Sequence, residues 1–184
     1  MSVNKRILEP DLTAEIAPRK GAAGFLLGEE LRTFESRVGS VKWFNNVQEA
    51  LASLPANEGW IAYSKELRNA WHTRTWYDYI FIYKNDILSL CFNSINWQLY
   101  EISVGEGYLG KFNNVKVGDD LLVLEDYFEL DFDDGDRNYL IMKDNVTIEG
   151  ISFRTDCLAA LEYAPKQKIE YIIVANWDWR SEID

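Results

Sequence analysis

The chain has 184 residues, enough for one domain or for two small, intimately packed modules. Hydrophobic residues make up 47% and aromatics 14%, which supplies a core and excludes an intrinsically disordered chain. Nineteen basic residues against 30 acidic ones leave a net charge of −11, which argues against direct binding to nucleic acid or an anionic membrane and suits a basic partner or plain solubility.

Residues 1–24 read as an irregular lead-in, broken by Pro10 and Pro18 and loosened by Gly21 and Gly24. Met1 to Pro18 has no apolar stretch of the secretory kind, and no run reaches transmembrane length, so a cytosolic location is expected. Leu31, Phe34 and Val38 recur at helical spacing, with Gly39 as a stop. Val41 to Phe44 reads as a connector. Asn46 with Glu49 resembles a capping box, and Val47, Ala50, Leu51 and Leu54 form the stripe of a second helix ended by Pro55. Gly59–Tyr63 reads as a strand and Lys65–Trp71 as a helical turn.

From Tyr77 the period changes to two. Tyr79–Tyr83 and Ile87–Phe92 form a hairpin about Asn85-Asp86. Gln98–Val104 is a strand with Tyr100, Ile102 and Val104 on one face. Phe128, Leu130 and Phe132 alternate with Glu129, Asp131 and Asp133, and Asp134-Gly135 is a two-residue hairpin signal leading to Asn138–Met142. Asp144-Asn145 turns into a strand over Val146–Phe153. Asp156–Tyr163 reads as a short helix and Lys168–Ala175 as the last strand. Helices first and adjacent strands after predict an α+β fold, with short N-terminal helices packed on a largely antiparallel sheet and no parallel crossovers.

One pattern occurs twice. Leu27-Gly28-Glu29-Glu30-Leu31 with Phe34 matches Val117-Gly118-Asp119-Asp120-Leu121 with Leu124. Each copy follows a Glu-Ile pair (Glu15-Ile16, Glu101-Ile102) and two glycines (Gly21 and Gly24, Gly107 and Gly110). Glycine permits a sharp turn, and acids at a helix start suit its unpaired N–H groups. Two explanations stand: an internal duplication with halves 1–97 and 98–184 inside a single domain, or coincidence among common residue types.

No residue set reads as a catalytic centre. His72 is the only histidine, without a nucleophile motif beside it, and reads as a loop or strand-edge residue. Cys91 and Cys157 sit in apolar surroundings without metal-ligand spacing and read as buried, reduced thiols. Asp131, Asp133, Asp134 and Asp136 lack the spacing of a calcium loop and read as a solvated strand face with its turn. No metal or cofactor is expected.

The surface is more informative. Nine acids and no Lys or Arg lie between Asp119 and Asp136, which is either an ordinary solvated face or a steering surface for a basic partner. Trp60, Trp71, Trp76, Tyr77 and Tyr79 mix with Lys65, Arg68 and Arg74; core aromatics with an exposed rim explain them, or a protein-binding hot spot. Trp177 and Trp179 near the C-terminus suit docking onto a surface, most often that of their own domain.

Two stretches carry a resemblance. Ile16-Ala17-Pro18-Arg19-Lys20-Gly21-Ala22-Ala23-Gly24-Phe25-Leu26-Leu27-Gly28 resembles the opening of immunity proteins encoded beside polymorphic or contact-dependent growth inhibition toxins. Tyr108-Leu109-Gly110-Lys111-Phe112, ending at Val117-Gly118-Asp119, resembles their second glycine segment. Arg19 departs from that pattern, which has a glycine after the proline. The resemblance spans 16–34 and 99–124 and implies a non-enzymatic, cytoplasmic protein that binds and neutralises a cognate toxin domain. It carries over no binding residue. From charge and aromatic content, the candidate contacts to a basic toxin are Glu129, Asp131, Asp133, Asp134 and Asp136, with Trp177 and Trp179 as anchors. Trp71, Arg74 and Trp76 form the alternative surface. A small-ligand or accessory enzyme domain, or a general interaction module, is the competing class.

Overall fold

A computed structural model describes residues 9–68 and 75–180, and the backbone alone at Arg68, Trp179 and Arg180. A small hairpin of β1 (Gly21–Ala22) and β2 (Phe25–Leu26) leads into α1 (Leu31–Val38). Then come β3 (Val41–Trp43), α2 (Val47–Ser53), β4 (Trp60–Arg68), β5 (Thr75–Tyr83), β6 (Leu88–Asn93) and β7 (Leu99–Val104). A 3-10 helix, Leu121–Asp126, precedes β8 (Glu129–Asp133), β9 (Asn138–Lys143), β10 (Val146–Thr147), β11 (Ile151–Thr155) and β12 (Ile169–Ala175). A ten-stranded sheet runs β10-β9-β11-β12-β7-β6-β5-β4-β3, with β8 on the other side of β9. The fold is α+β: short helices on a large, mostly antiparallel sheet.

The sheet has two unlike faces. On the first, Leu31, Phe34 and Val38 of α1 bury against Trp60, Phe81, Leu90, Phe92 and Ile102. Ring contacts tie this face together, Phe34 lying 4.8 Å from Phe81 and 5.3 Å from Trp60. On the second face, α2 covers one end through Ala50, over Ile61, Ile80 and Ile82. Its cap is the predicted one: Asn46 Oδ1 accepts from Glu49 N–H at 2.9 Å, and Asn46 Nδ2 donates to Glu49 Oε1 at 3.0 Å. Leu51 of the predicted stripe is 48% exposed, because α2 meets the sheet through its smallest side chain.

Several expectations change because pairing between strands overrides local pattern. Val41–Trp43 is a strand, parallel to β4, so one parallel crossover exists and α2 is its connection. Lys65–Leu67 continues β4, held by the ladder to Trp76–Asp78. The stretch read as one strand from Val146 splits at Gly150 (φ 78°) into β10 and β11. Between β8 and β9 lie the four residues 134–137, with Arg137 at φ 54° and Gly135 N–H bonded to Asp133 Oδ1 at 2.9 Å, so the turn is not the two-residue type. Asp156–Tyr163 forms turns rather than a helix. Gln167 Nε2 there takes the carbonyls of Ala159 and Ala164, at 2.7 and 2.8 Å, which competes with helical pairing. A bulge between Cys91 and Phe92 shifts the register against β7, and Tyr100 leaves the face of Ile102 and Val104. Cys91 is partly buried, whereas Cys157 is exposed.

The twice-used sequence unit has one geometry. Gly28 N–H donates to Leu99 O (2.8 Å), Leu99 N–H to Glu29 O (2.9 Å) and Leu31 N–H to Trp97 O (2.8 Å). In the second copy Gly118 N–H donates to Ile169 O (2.8 Å), Ile169 N–H to Asp119 O (2.9 Å) and Leu121 N–H to Gln167 O (2.9 Å). Each unit thereby docks on the start of a long strand, β7 or β12. Those two strands pair with each other, Ile102 opposite Val174 and Val104 opposite Ile172, about a pseudo-twofold at Ser103 and Ile173. Each carries one extra residue opposite its other neighbour, Tyr100 of β7 where Cys91 and Phe92 of β6 are successive, and Glu170 of β12 where Arg154 and Thr155 of β11 are. A tight turn with two positive φ angles precedes each unit, Ala23-Gly24 (56°, 82°) and Asn113-Asn114 (45°, 67°). Counted back from Gly28 and Gly118, Gly24 therefore matches Asn114, and the flanking glycine and Glu-Ile pairs do not correspond. Grouped by what each unit docks on, β7 goes with the first unit and β12 with the second. The acids also differ. Asp120 Oδ1 caps Leu122 N–H at 2.9 Å, whereas Glu30 makes no capping bond and Glu29 pairs with Arg37 at 2.6 Å.

Candidate partner-binding face

Beyond α2 the second face of the sheet stays open. Because side chains alternate along a strand, this face collects Tyr63 and Lys65 from β4, Asp78 from β5, Ser89 and Cys91 from β6, Glu101 and Ser103 from β7, Tyr171 from β12, and Ser152 and Arg154 from β11. Two shallow depressions share Tyr100 and Glu101 between them. One is lined by residues of β4 to β7 with Asp86 and Tyr171. The other is lined by Asp133, Asp136, Asn138, Ser152 and Trp177.

The floor is built from carboxylates that folding removes from water. Asp78 is 6% exposed and Tyr100 donates its hydroxyl to Asp78 Oδ2 at 2.8 Å. Tyr171 donates to Asp86 Oδ2 at 2.7 Å. Burial pushes the Glu101 carboxyl above its ordinary value, with the Arg154 guanidinium pulling the other way. Burial likewise raises Asp86, partly offset by the Tyr171 hydrogen bond. Desolvation also lifts the Cys91 thiol and the Tyr100 hydroxyl, and takes Tyr63 up to about 12. The Cys91 thiol and the Tyr100 and Tyr63 hydroxyls therefore stay protonated at neutral pH, and Cys91 is a poor nucleophile. Arg154 donates through Nε to Asn138 Oδ1 at 3.2 Å. Five carboxylates line the two depressions (Asp78, Asp86, Glu101, Asp133, Asp136) against two cations, Lys65 and Arg154. The face therefore carries negative charge.

The structure brings together part of the sequence-derived set. Asp133, Asp136 and Trp177, from strand, turn and a C-terminal 3-10 helix (Trp177–Arg180), line one depression. Asp131 and Glu129 follow Asp133 at alternate places on β8 and are exposed, and Asp134 lies exposed in the turn. Trp76 of the alternative surface shares strand and parity with Asp78, so that residue belongs to this face as well. Trp71, His72 and Arg74, and the Trp179 side chain, lie outside the described residues. Sequence reasoning missed Asp78, Asp86, Tyr100, Glu101 and Arg154. Only Glu101 and Arg154 had a signal, polar residues at alternate places in otherwise apolar strands, as in Glu101-x-Ser103 and Ser152-x-Arg154. Among the described residues no group of three or more His, Cys, Asp or Glu is placed to hold a metal ion, and no helix is long and apolar enough to cross a membrane.

No family model matches the chain, and no curated protein matches it. A crystal structure of the uncharacterised protein YfeY from Escherichia coli matches at 15% identity and TM-score 0.43, over 74% of this chain and 100% of that one. A likeness at that level carries no argument.

Proposed function

We propose that this chain is an immunity-type protein, not an enzyme, which binds a basic toxin domain in the cytoplasm of the producing cell and blocks its active site or substrate groove. The observation that carries the reading is the open sheet face, where five carboxylates face two cations across adjoining depressions. A toxin that acts on nucleic acid presents a basic groove, and complementary charge raises the association rate. Trp177, 38% exposed at the rim, supplies aromatic area of the kind that dominates binding energy.

The test is the triple change Asp131→Asn, Asp133→Asn, Asp136→Asn, co-expressed with the cognate toxin domain. Asparagine keeps the oxygen that accepts from Gly135 N–H, so stability should move by less than about 0.5 kcal/mol. Protection should be lost, or the complex should form much more slowly at low salt and lose its salt dependence. Unchanged association rate and salt slope would move the interface elsewhere.

The competing reading is a small-ligand site. The depression beside α2 encloses about 440 Å³, and its floor holds buried hydroxyls and carboxylates. Its wide mouth and polar lining favour a macromolecule.

A further inference from the structure

The acidic run does more than present charge, because it occupies a sheet edge. Among the described residues β8 (Glu129–Asp133) pairs only with β9, through the register Glu129–Met142, Asp131–Leu140 and Asp133–Asn138. Its other side pairs with no strand among the described residues, and half of its backbone groups point that way. Its side chains sort by face. Leu130 and Phe132 pack on the core, Phe132 lying 5.0 Å from Tyr139, while Glu129, Asp131 and Asp133 turn to the open face.

We infer that β8 accepts an extended segment of a partner protein as an eleventh strand of the sheet, and that this segment alternates basic and apolar residues. The inference rests on the basic-partner reading above. Main-chain bonds to a free edge supply affinity, and the pockets for alternate side chains supply selectivity. Basic residues of the added strand meet Glu129, Asp131 and Asp133 across the pair, where opposite charges attract. Its apolar residues extend the face of Leu130 and Phe132. The same three acids repel a second copy of β8, so the edge is closed to self-pairing and open to a cationic strand.

The probe is a synthetic hexapeptide of alternating lysine and valine, titrated into the full chain. Two versions carry N-methyl groups, one on the lysine amides and the other on the valine amides, with charge unchanged. Residues of one parity direct their amides to one edge of a strand, so only one methylated version should lose binding, by roughly tenfold or more. Bound parent peptide should also slow hydrogen exchange at the β8 amides. Equal binding of all three peptides without exchange protection would overturn strand addition and leave charge alone. No binding of the parent would overturn it as well. Protection against the toxin in cells is read separately, so the immunity assignment and the strand addition can fail independently.

Discussion

Half-buried carboxylates on the open face tie stability to pH. Burial raises Glu101 and Asp86 above their ordinary values. Between the ordinary carboxylate value and the raised one, the folded chain holds more protons than the unfolded chain. The slope of unfolding free energy with pH is then negative, so these groups make the protein more stable as pH falls through that window and less stable as it rises. Glu101→Gln should therefore raise the neutral-pH melting temperature and flatten this part of the profile, measured by thermal melts across the acidic range. The exposed Asp11, whose pKa is lowered by its hydrogen bonds to Thr13, works in the opposite sense at lower pH. Tyr100 tests the other side of the cluster. Its hydroxyl donates to the buried Asp78, and Tyr100→Phe should cost about 1–3 kcal/mol in a denaturant titration, since a buried acceptor loses a donor. A loss near zero would mean that water reaches the floor of the face.

At the scale of elements, each docking unit turns on one glycine. Gly28 and Gly118 have φ of 85° and 89°, and a Cβ at either place meets nothing within 4 Å. The cost of Gly28→Ala and of Gly118→Ala is then backbone strain alone, about 1 kcal/mol each and equal within error. Unequal losses in chemical unfolding would show that the two units are not energetically alike. Asn46→Ala removes the cap of α2 and should cost about 1 kcal/mol. The elements that the sequence announced were those whose signal is local. The stripe Leu31, Phe34, Val38, the Asn46–Glu49 cap, the alternation along β8 and the apolar runs of β5 and β12 need no partner to be seen. β3, the outer end of β4 and the bulge that turns Tyr100 need a neighbouring strand to define them, and no window of sequence contains that neighbour. The site divides in the same way. Asp133, Asp136 and Trp177 stood out by charge and ring. Asp78, Glu101 and Arg154 are single polar residues on separate strands, and only the order β5-β6-β7-β12-β11-β9 assembles them.

For the whole molecule, the seam between β7 and β12 decides whether the two units act as one body. Val104, Ile102, Ile172 and Val174 meet there, all fully buried, and they belong to one apolar cluster with Leu31, Phe34, Leu121 and Leu124 from the two docking units. Neither unit can bury its inner strand without the other, so unfolding should be a single transition. The distribution of tryptophan provides a test. Trp43, Trp60, Trp76 and Trp97 lie before the seam, so fluorescence reports mainly the first unit, whereas far-ultraviolet circular dichroism reports strands of both. Ile172→Ala cuts a fully buried side chain in the second unit and should cost about 2–5 kcal/mol. Under one cooperative transition, that change lowers the fluorescence midpoint as far as the dichroism midpoint. A fluorescence midpoint left at its wild-type value, with the dichroism curve split in two, would make the units separate folding bodies. The open face, whose floor crosses the seam at Glu101, Tyr171 and Arg154, would then be assembled by docking instead of by folding.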